Sequence, residues 1–228
     1  MYRSRAAFLI GASAAFLAVP GTARAATKLD EPATCPELSV YEAQRRLVYG
    51  NQRYVSQTAT HASQTTERRE ATATAGQCPF AMVLTCADSR VIPELVFDRG
   101  LGDLFVCRTA GNVEDPIVIG SLQYAFVHYH PPLLVVLGHE KCGAVEATLE
   151  WLRGAPTPSP SIYSVVAGVR RSVRTVMAVE EAVRLNASGV ASRLRNQPWP
   201  SPEGKPRREP PHIAAAYYSM STGHVRFL

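Results

Sequence analysis

Two apolar runs dominate the hydrophobic pattern of this chain. Residues 81–85 run into Cys86, and residues 133–137 run into Gly138-His139. Neither alternates with polar residues. A continuous apolar run of this length is expected of a parallel strand covered on both faces, and each run is followed by a helical pattern. Residues 104–107 predict a third strand, and residues 213–218 and 225–228 predict two more joined by a Thr-Gly turn. Ser39-Val40-Tyr41-Glu42 is a capping box opening a helix, in which Val40, Ala43, Leu47 and Val55 recur at roughly helical spacing. Asp115-Pro116 supplies an N-cap and first-turn proline for a helix to about Tyr129. A helical turn is expected from Pro93, and mostly helix from residue 162 to about 194. Residues 59–75 read as a linker or a solvated helix, 156–160 as a stiff connector, and 197–211 as loop. Strands alternating with helices predict an α/β fold, a central, mostly parallel β-sheet flanked by helices, with an N-terminal helical arm.

The first 25 residues do not fit that pattern. Arg3 and Arg5 form a basic start, residues 6–19 an apolar segment of small residues, and Ala23-Arg24-Ala25 a signal-peptidase motif. This predicts a cleaved signal peptide, cut before Ala26, and a periplasmic or secreted protein. The apolar segment is too short to cross a bilayer, so no stable membrane span is expected after its removal; an uncleaved N-terminal anchor is the alternative. Residues 26–38 are expected to form a flexible leader and residues 39–228 the main domain, one α/β unit with a sizeable core. Without the signal the net charge falls from +5 to about +2, which gives no reason to invoke nucleic acid. Five cysteines in an exported chain need explaining. Cys107 reads as buried. Cys35 and Cys78 flank the helical N-terminal region and could pair, a question the sequence leaves open.

Candidate chemistry sits at the ends of the two main strands. Cys86-Ala-Asp88-Ser-Arg90 is followed about fifty residues later by His139-Glu-Lys-Cys142. Two cysteines and a histidine suit Zn²⁺, and three protein ligands leave the fourth tetrahedral position free for chemistry. Carboxyl ends of strands are where open α/β sheets place their sites. His139 and Cys142 are one helical turn apart, and a helix N-terminus favours a Cys142 thiolate. The competing readings are buried structural cysteines, a Cys86–Cys142 disulfide, and a structural zinc with a fourth protein ligand. None of them explains the charged pair Asp88/Arg90 beside the metal.

These motifs resemble the β-class carbonic anhydrases, whose signature is Cys-x-Asp-Ser-Arg with a downstream His-x-x-Cys. The likeness extends to Gly50-Asn51-Gln52-Arg53-Tyr54, to Gly76-Gln77-Cys78-Pro79, to residues 102–112 (GDLFVCRTAGN), and to Ala215-Ala216-Tyr217-Tyr218 with Thr222-Gly223-His224-Val225. It runs from about Ser39 to Leu228 and is weak between Pro156 and Pro211; the family often has an Asp where Ser219 stands. The resemblance implies a β-carbonic anhydrase-like fold and reversible hydration of CO₂ to bicarbonate and a proton. It implies one zinc per subunit on Cys86, His139 and Cys142, supplying hydroxide as nucleophile. Asp88 would accept a hydrogen bond from that hydroxide and Arg90 would hold Asp88 ionised. Gln77 and the Gly143 amide match positions that bind substrate oxygen, and Phe105 and Tyr124 positions in or beside an apolar pocket. A homodimer or homotetramer is implied, with the arm from Ser39 to Gln57 gripping a neighbour; folding back on its own subunit is the alternative. Hydrolysis of carbonyl sulfide or carbon disulfide by the same ligands, or a non-catalytic zinc-binding module, are the other functions compatible with the ligand set.

Overall fold

The computed structural model describes residues 35–201 and 209–228. The expected signal peptide and most of the leader lie outside the described residues. The elements in order are α1 (Val40–Val55), α2 (Thr66–Ala75), β1 (Ala81–Cys86), α3 (Pro93–Val96), β2 (Leu104–Thr109), a 3-10 turn (Ala110–Asn112), α4 (Pro116–Tyr129), β3 (Leu133–His139), α5 (Gly143–Leu152), α6 (Pro160–Arg170), α7 (Val179–Arg195), β4 (His212–Tyr218) and β5 (Val225–Phe227).

The strands form one sheet in the order β2-β1-β3-β4-β5. The first four are parallel, and only β5 runs antiparallel, on β4. Every residue of β1 and β3 is buried, which is why their sequences are apolar without alternation. The strand pleat divides them between two cores. Ala81, Val83, Leu133, Val135 and Leu137 face α1 and Phe97, while Met82, Leu84, Leu134 and Val136 face α4 and α7. After β1 the chain moves to one side to make β2, then crosses to the other side to make β3. The reversal opens a crevice at the carboxyl ends of β1 and β3, the place where such sheets bind ligands.

Of the two dispositions open to the N-terminal helix, the described contacts are with its own sheet. The expected capping box is present, with the Ser39 hydroxyl accepting from the Glu42 amide and the Glu42 carboxylate accepting from the Ser39 amide. Ala43 and Leu47 are fully buried against β1 and β3. The Gly50-Asn51-Gln52-Arg53-Tyr54 stretch makes the docking. A Cβ on Gly50 would stand 1.8 Å from the Phe97 carbonyl oxygen. Asn51 donates to the Val96 and Gly223 carbonyls and accepts from the Val225 amide. Arg53 pairs with buried Asp98 at 2.6 Å, and the Tyr54 hydroxyl meets that of Tyr218 at 3.3 Å. By contrast, α2 buries no residue at all, as its Thr, Ala and charged sequence suggests.

The long helical stretch expected from residue 162 is two helices. Residues 171–178 break it, and the break is held where Arg171 and Arg193 both donate to buried Glu114. Arg171 is thus one of two arginines paired with buried Glu114. Cys35 and Cys78 are joined by a disulfide, whereas Cys86, Cys107 and Cys142 are free.

Candidate metal centre

Sheet register builds the centre. Thr85 on β1 is level with Leu137 on β3, so Cys86 and His139 leave the two neighbouring strands side by side. The turn after β3 brings back Cys142, the N-cap of α5. The ligand atoms of Cys86, His139 and Cys142 all lie within 4.8 Å of one another, and the two sulfurs are 4.0 Å apart. Two thiolates on a tetrahedral zinc at about 2.3 Å would be roughly 3.8 Å apart. All three residues are buried, His139 completely.

The polar groups of this cluster fit a cation. His139 Nδ1 lies 2.8 Å from the Glu140 carbonyl oxygen, which can only accept, so Nδ1 carries the proton. Nε2 therefore presents a lone pair, and it has no hydrogen-bond partner although it is buried. A buried unpaired acceptor costs free energy that a metal would recover. The two thiols are coupled through the contact between their sulfurs. Cys86 is held well below an ordinary thiol, chiefly by the hydrogen bond from Cys142, with the Asp88 and Gly111 amides helping to outweigh burial. Cys142 is pushed far up by that same hydrogen bond, by burial and by the charge on Cys86. Both can ionise together only if a positive charge sits between them. The pair is not bridged, which removes the competing Cys86–Cys142 disulfide.

Beside the cluster, Asp88 is held by Arg90. Arg90 Nε donates to Asp88 Oδ1 at 2.9 Å, Nη2 donates to Oδ2 at 2.7 Å, and the Arg90 amide also donates to Oδ1. These bonds, the side-chain ones first, hold the carboxyl far below the usual carboxylate range despite partial burial. With both oxygens engaged, Asp88 stands outside the group of potential ligands. A cavity of about 450 Å³ lined by Tyr54, Arg90, Glu140, Lys141, Tyr218, Met220 and Ser221 opens next to the pair.

Gly143 opens α5 directly after Cys142, in the first turn where backbone amides lack helical partners, and a Cβ there would meet nothing within 4 Å. The other three residues expected near substrate are not beside this chain's own cluster. Gln77 precedes β1, and its amide group donates to the Tyr129 hydroxyl at 3.1 Å. Phe105 is level with Met82 at the amino end of the sheet, about 13 Å of strand away from Cys86. Its ring and that of Tyr124 each lie 6.4 Å from Tyr129. Tyr124 is 53% exposed, on the outer face of α4. Gln77, Phe105 and Tyr124 are thus gathered around Tyr129, as a group separate from the three ligands.

The carbonic anhydrase family model matches residues 81–225, from the start of β1 into β5. The chain belongs to the β-class carbonic anhydrase family. Carbonic anhydrase 2 of Mycobacterium tuberculosis is 45% identical over 138 residues, which are 60% of this chain and 66% of that relative, just short of two thirds. Among solved structures, a Coccomyxa β-carbonic anhydrase in complex with acetazolamide matches with a TM-score of 0.60 and 24% identity, covering 80% of this chain and 84% of that one. Tetrameric β-carbonic anhydrases from Sordaria macrospora match at 0.58 with 15% identity, covering 82% and 97%. The α/β fold with its mostly parallel sheet is that of these β-carbonic anhydrases.

Within this β-carbonic anhydrase, residues that sequence reasoning gave no role complete the surroundings of the ligands. Arg108 on β2 donates to the Cys86 and Asp88 carbonyl oxygens at 3.2 and 2.6 Å, strapping the loop that carries Asp88. The Gly111 amide donates to the Cys86 sulfur at 3.3 Å. Gly111 adopts a left-handed φ of 66°, which a side chain would resist. Its carbonyl accepts from Asn186, a buried polar residue on α7. Arg108 and Gly111 lie inside the 102–112 segment quoted above, so the signal was the segment itself. Asn186 lies 75 residues from Gly111 and carried no sequence signal.

Proposed function

We propose that this β-class carbonic anhydrase catalyses the reversible hydration of carbon dioxide to bicarbonate and a proton, with one zinc per subunit held by Cys86, His139 and Cys142. One observation carries the reading: three buried ligand atoms within 4.8 Å, one of them an unpartnered imidazole nitrogen, beside a carboxylate locked by an arginine. Zinc held there would supply Lewis acidity for activating water. The chain supplies orientation. An ionised Asp88 can only accept, so it would hold the hydrogen of the attacking oxygen and leave that oxygen's lone pair turned to CO₂. Arg90 keeps Asp88 ionised and turned from the ligands. In this reading the Gly143 amide, in the first turn of α5, donates to a substrate oxygen.

Gln77, Phe105 and Tyr124 act across a subunit boundary in this reading, each subunit lending them to its neighbour's centre, so the working unit is a homodimer or a homotetramer. The protein is exported and cut before Ala26, acting in the periplasm or outside the cell. The Cys35–Cys78 disulfide supports an oxidising compartment. Mass spectrometry of the N-terminus from native cell envelopes tests the export; an intact Met1 on a soluble cytoplasmic form refutes it. The deciding assay for the activity is stopped-flow CO₂ hydration by zinc-loaded mature protein. Hydration is the expected result. Hydrogen sulfide release from carbonyl sulfide or carbon disulfide with no CO₂ turnover would replace the reading with a hydrolase, and inactivity towards all three with a binding module.

A further inference from the structure

We propose that the Cys35–Cys78 disulfide is a positioning device for Gln77, holding the loop that presents this side chain. The proposal rests on the substrate role given to Gln77 above. The loop between α2 and β1 is held at both ends and by this covalent bond in its middle. Its upstream neighbour α2 buries no residue and is tied to the domain mainly by Arg68, which donates to the Leu101 carbonyl and reaches Asp103 at 3.4 Å. Its downstream end is fixed where the Phe80 amide donates to the Asp103 carbonyl. Between them lie Gly76, with a left-handed φ of 80°, then Gln77, Cys78 and Pro79. The Gln77 side chain makes one described hydrogen bond, to Tyr129.

The disulfide gives this loop a covalent hold next to Gln77. Cys35 lies five residues ahead of α1, the helix pinned by Ala43, Leu47, Gly50 and Asn51. Linking it to Cys78, 43 residues later, carries that anchorage to the residue next to Gln77. The Cys35 sulfur also packs 3.7 Å from the Gln77 carbonyl oxygen; a disulfide sulfur has no proton to donate, so this is contact rather than a hydrogen bond. The covalent bond and this contact restrict the backbone of Gln77, and a restricted donor loses less freedom on engaging substrate.

The test is a double-mutant cycle on the zinc-loaded full-length mature protein, with Cys35→Ser, Gln77→Ala and the combination. Removing one neutral hydrogen bond to substrate should raise KM for CO₂ about fivefold with little change in kcat. Cys35→Ser should raise KM similarly and the double variant no further, while zinc stays at one per chain. Amide exchange of residues 76–80 should quicken in Cys35→Ser, a readout independent of activity. If Cys35→Ser folds poorly, a water-soluble phosphine followed by alkylation opens the bond in the folded protein. Phosphine then becomes phosphine oxide, water supplying the oxygen and the two thiol protons. Unchanged KM after Gln77→Ala would overturn the substrate role of Gln77 and this inference with it. A raised KM there, with Cys35→Ser unchanged, additive to Gln77→Ala, or without faster exchange, overturns this inference alone.

Discussion

At the scale of single residues, Asp88 and Arg90 carry the most testable chemistry. An amide in place of the carboxylate keeps the shape but can donate, so Asp88→Asn offers a hydroxide the wrong partner as often as the right one. The expected outcome is about one zinc per chain and a fall of roughly 100-fold in kcat/KM, in the range seen when one positioned catalytic group is lost. Near-normal turnover in the zinc-replete variant would end the role given to Asp88. Arg90→Ala should lose activity similarly, because the carboxylate oxygens freed from the guanidinium then face the ligand cluster. X-ray absorption of the metal-loaded protein checks the cluster itself: two sulfurs and one nitrogen from the chain are expected, and a first shell without sulfur is incompatible with this site. The ligands were legible in the sequence because thiolates and imidazole at strand ends have few other uses together. For Arg108 only the 102–112 segment was legible and not its role, since it acts through two backbone carbonyls, which leave no trace in side-chain identity.

At the scale of elements, the sheet was legible and the helix contacts were not. Full burial leaves β1 and β3 no polar positions, so their sequences declare them. The destination of α1 was hidden, because an amphipathic stripe says that a face is covered and not by what. Gly50 and Asp98 decide it, and both can be tested. At Gly50, Ala would gain about 1 kcal/mol in helix propensity. Its Cβ, however, would meet the Phe97 carbonyl oxygen at 1.8 Å, a backbone atom that cannot turn aside. A net loss of about 3 kcal/mol, or a fall in Tm of roughly 10 °C, is expected from calorimetry of Gly50→Ala. For Asp98, burial opposes the charge, but the Thr60 amide and hydroxyl, Arg53 and the His61 amide prevail and hold its carboxyl at about 2, against an ordinary 3.8. A pKa lowered by folding gives stability that is present above the unfolded value and lost as pH falls through the folded one. Urea titrations should show the wild type losing on the order of 2 kcal/mol more than Asp98→Asn between about pH 5 and pH 2. Equal losses would show that the Arg53–Asp98 contact does not couple α1 to the domain.

At the scale of the whole molecule, the arrangement of Gln77, Phe105 and Tyr124 bears on assembly. They are grouped around Tyr129 at the amino end of the sheet, while the three ligands lie at the carboxyl end. If these residues serve substrate, a second copy must bring them to the centre, and the surface that would do so is visible on α4. Ile117, Gly120, Tyr124 and His128 share one outer stripe of that helix, with Ile117 78% exposed. Burying an isoleucine of that kind is worth about 1.5–3 kcal/mol per side, and a symmetric interface counts it twice. α1 packs one face on its own sheet and leaves Tyr41 and Tyr49 exposed on the other, so both α1 and the α4 stripe offer surface to a second copy, and the α4 stripe is the one that adjoins Gln77, Phe105 and Tyr124. Ile117→Lys places two charges where the two helices would meet and leaves the buried face of α4, Val118, Leu122, Ala125 and Phe126, untouched. Light scattering should then report monomers in place of dimers or tetramers, with circular dichroism and one zinc per chain unchanged and CO₂ hydration strongly reduced. A monomeric Ile117→Lys protein with full activity would show that one chain completes its own site, and that Gln77, Phe105 and Tyr124 are ordinary packing residues.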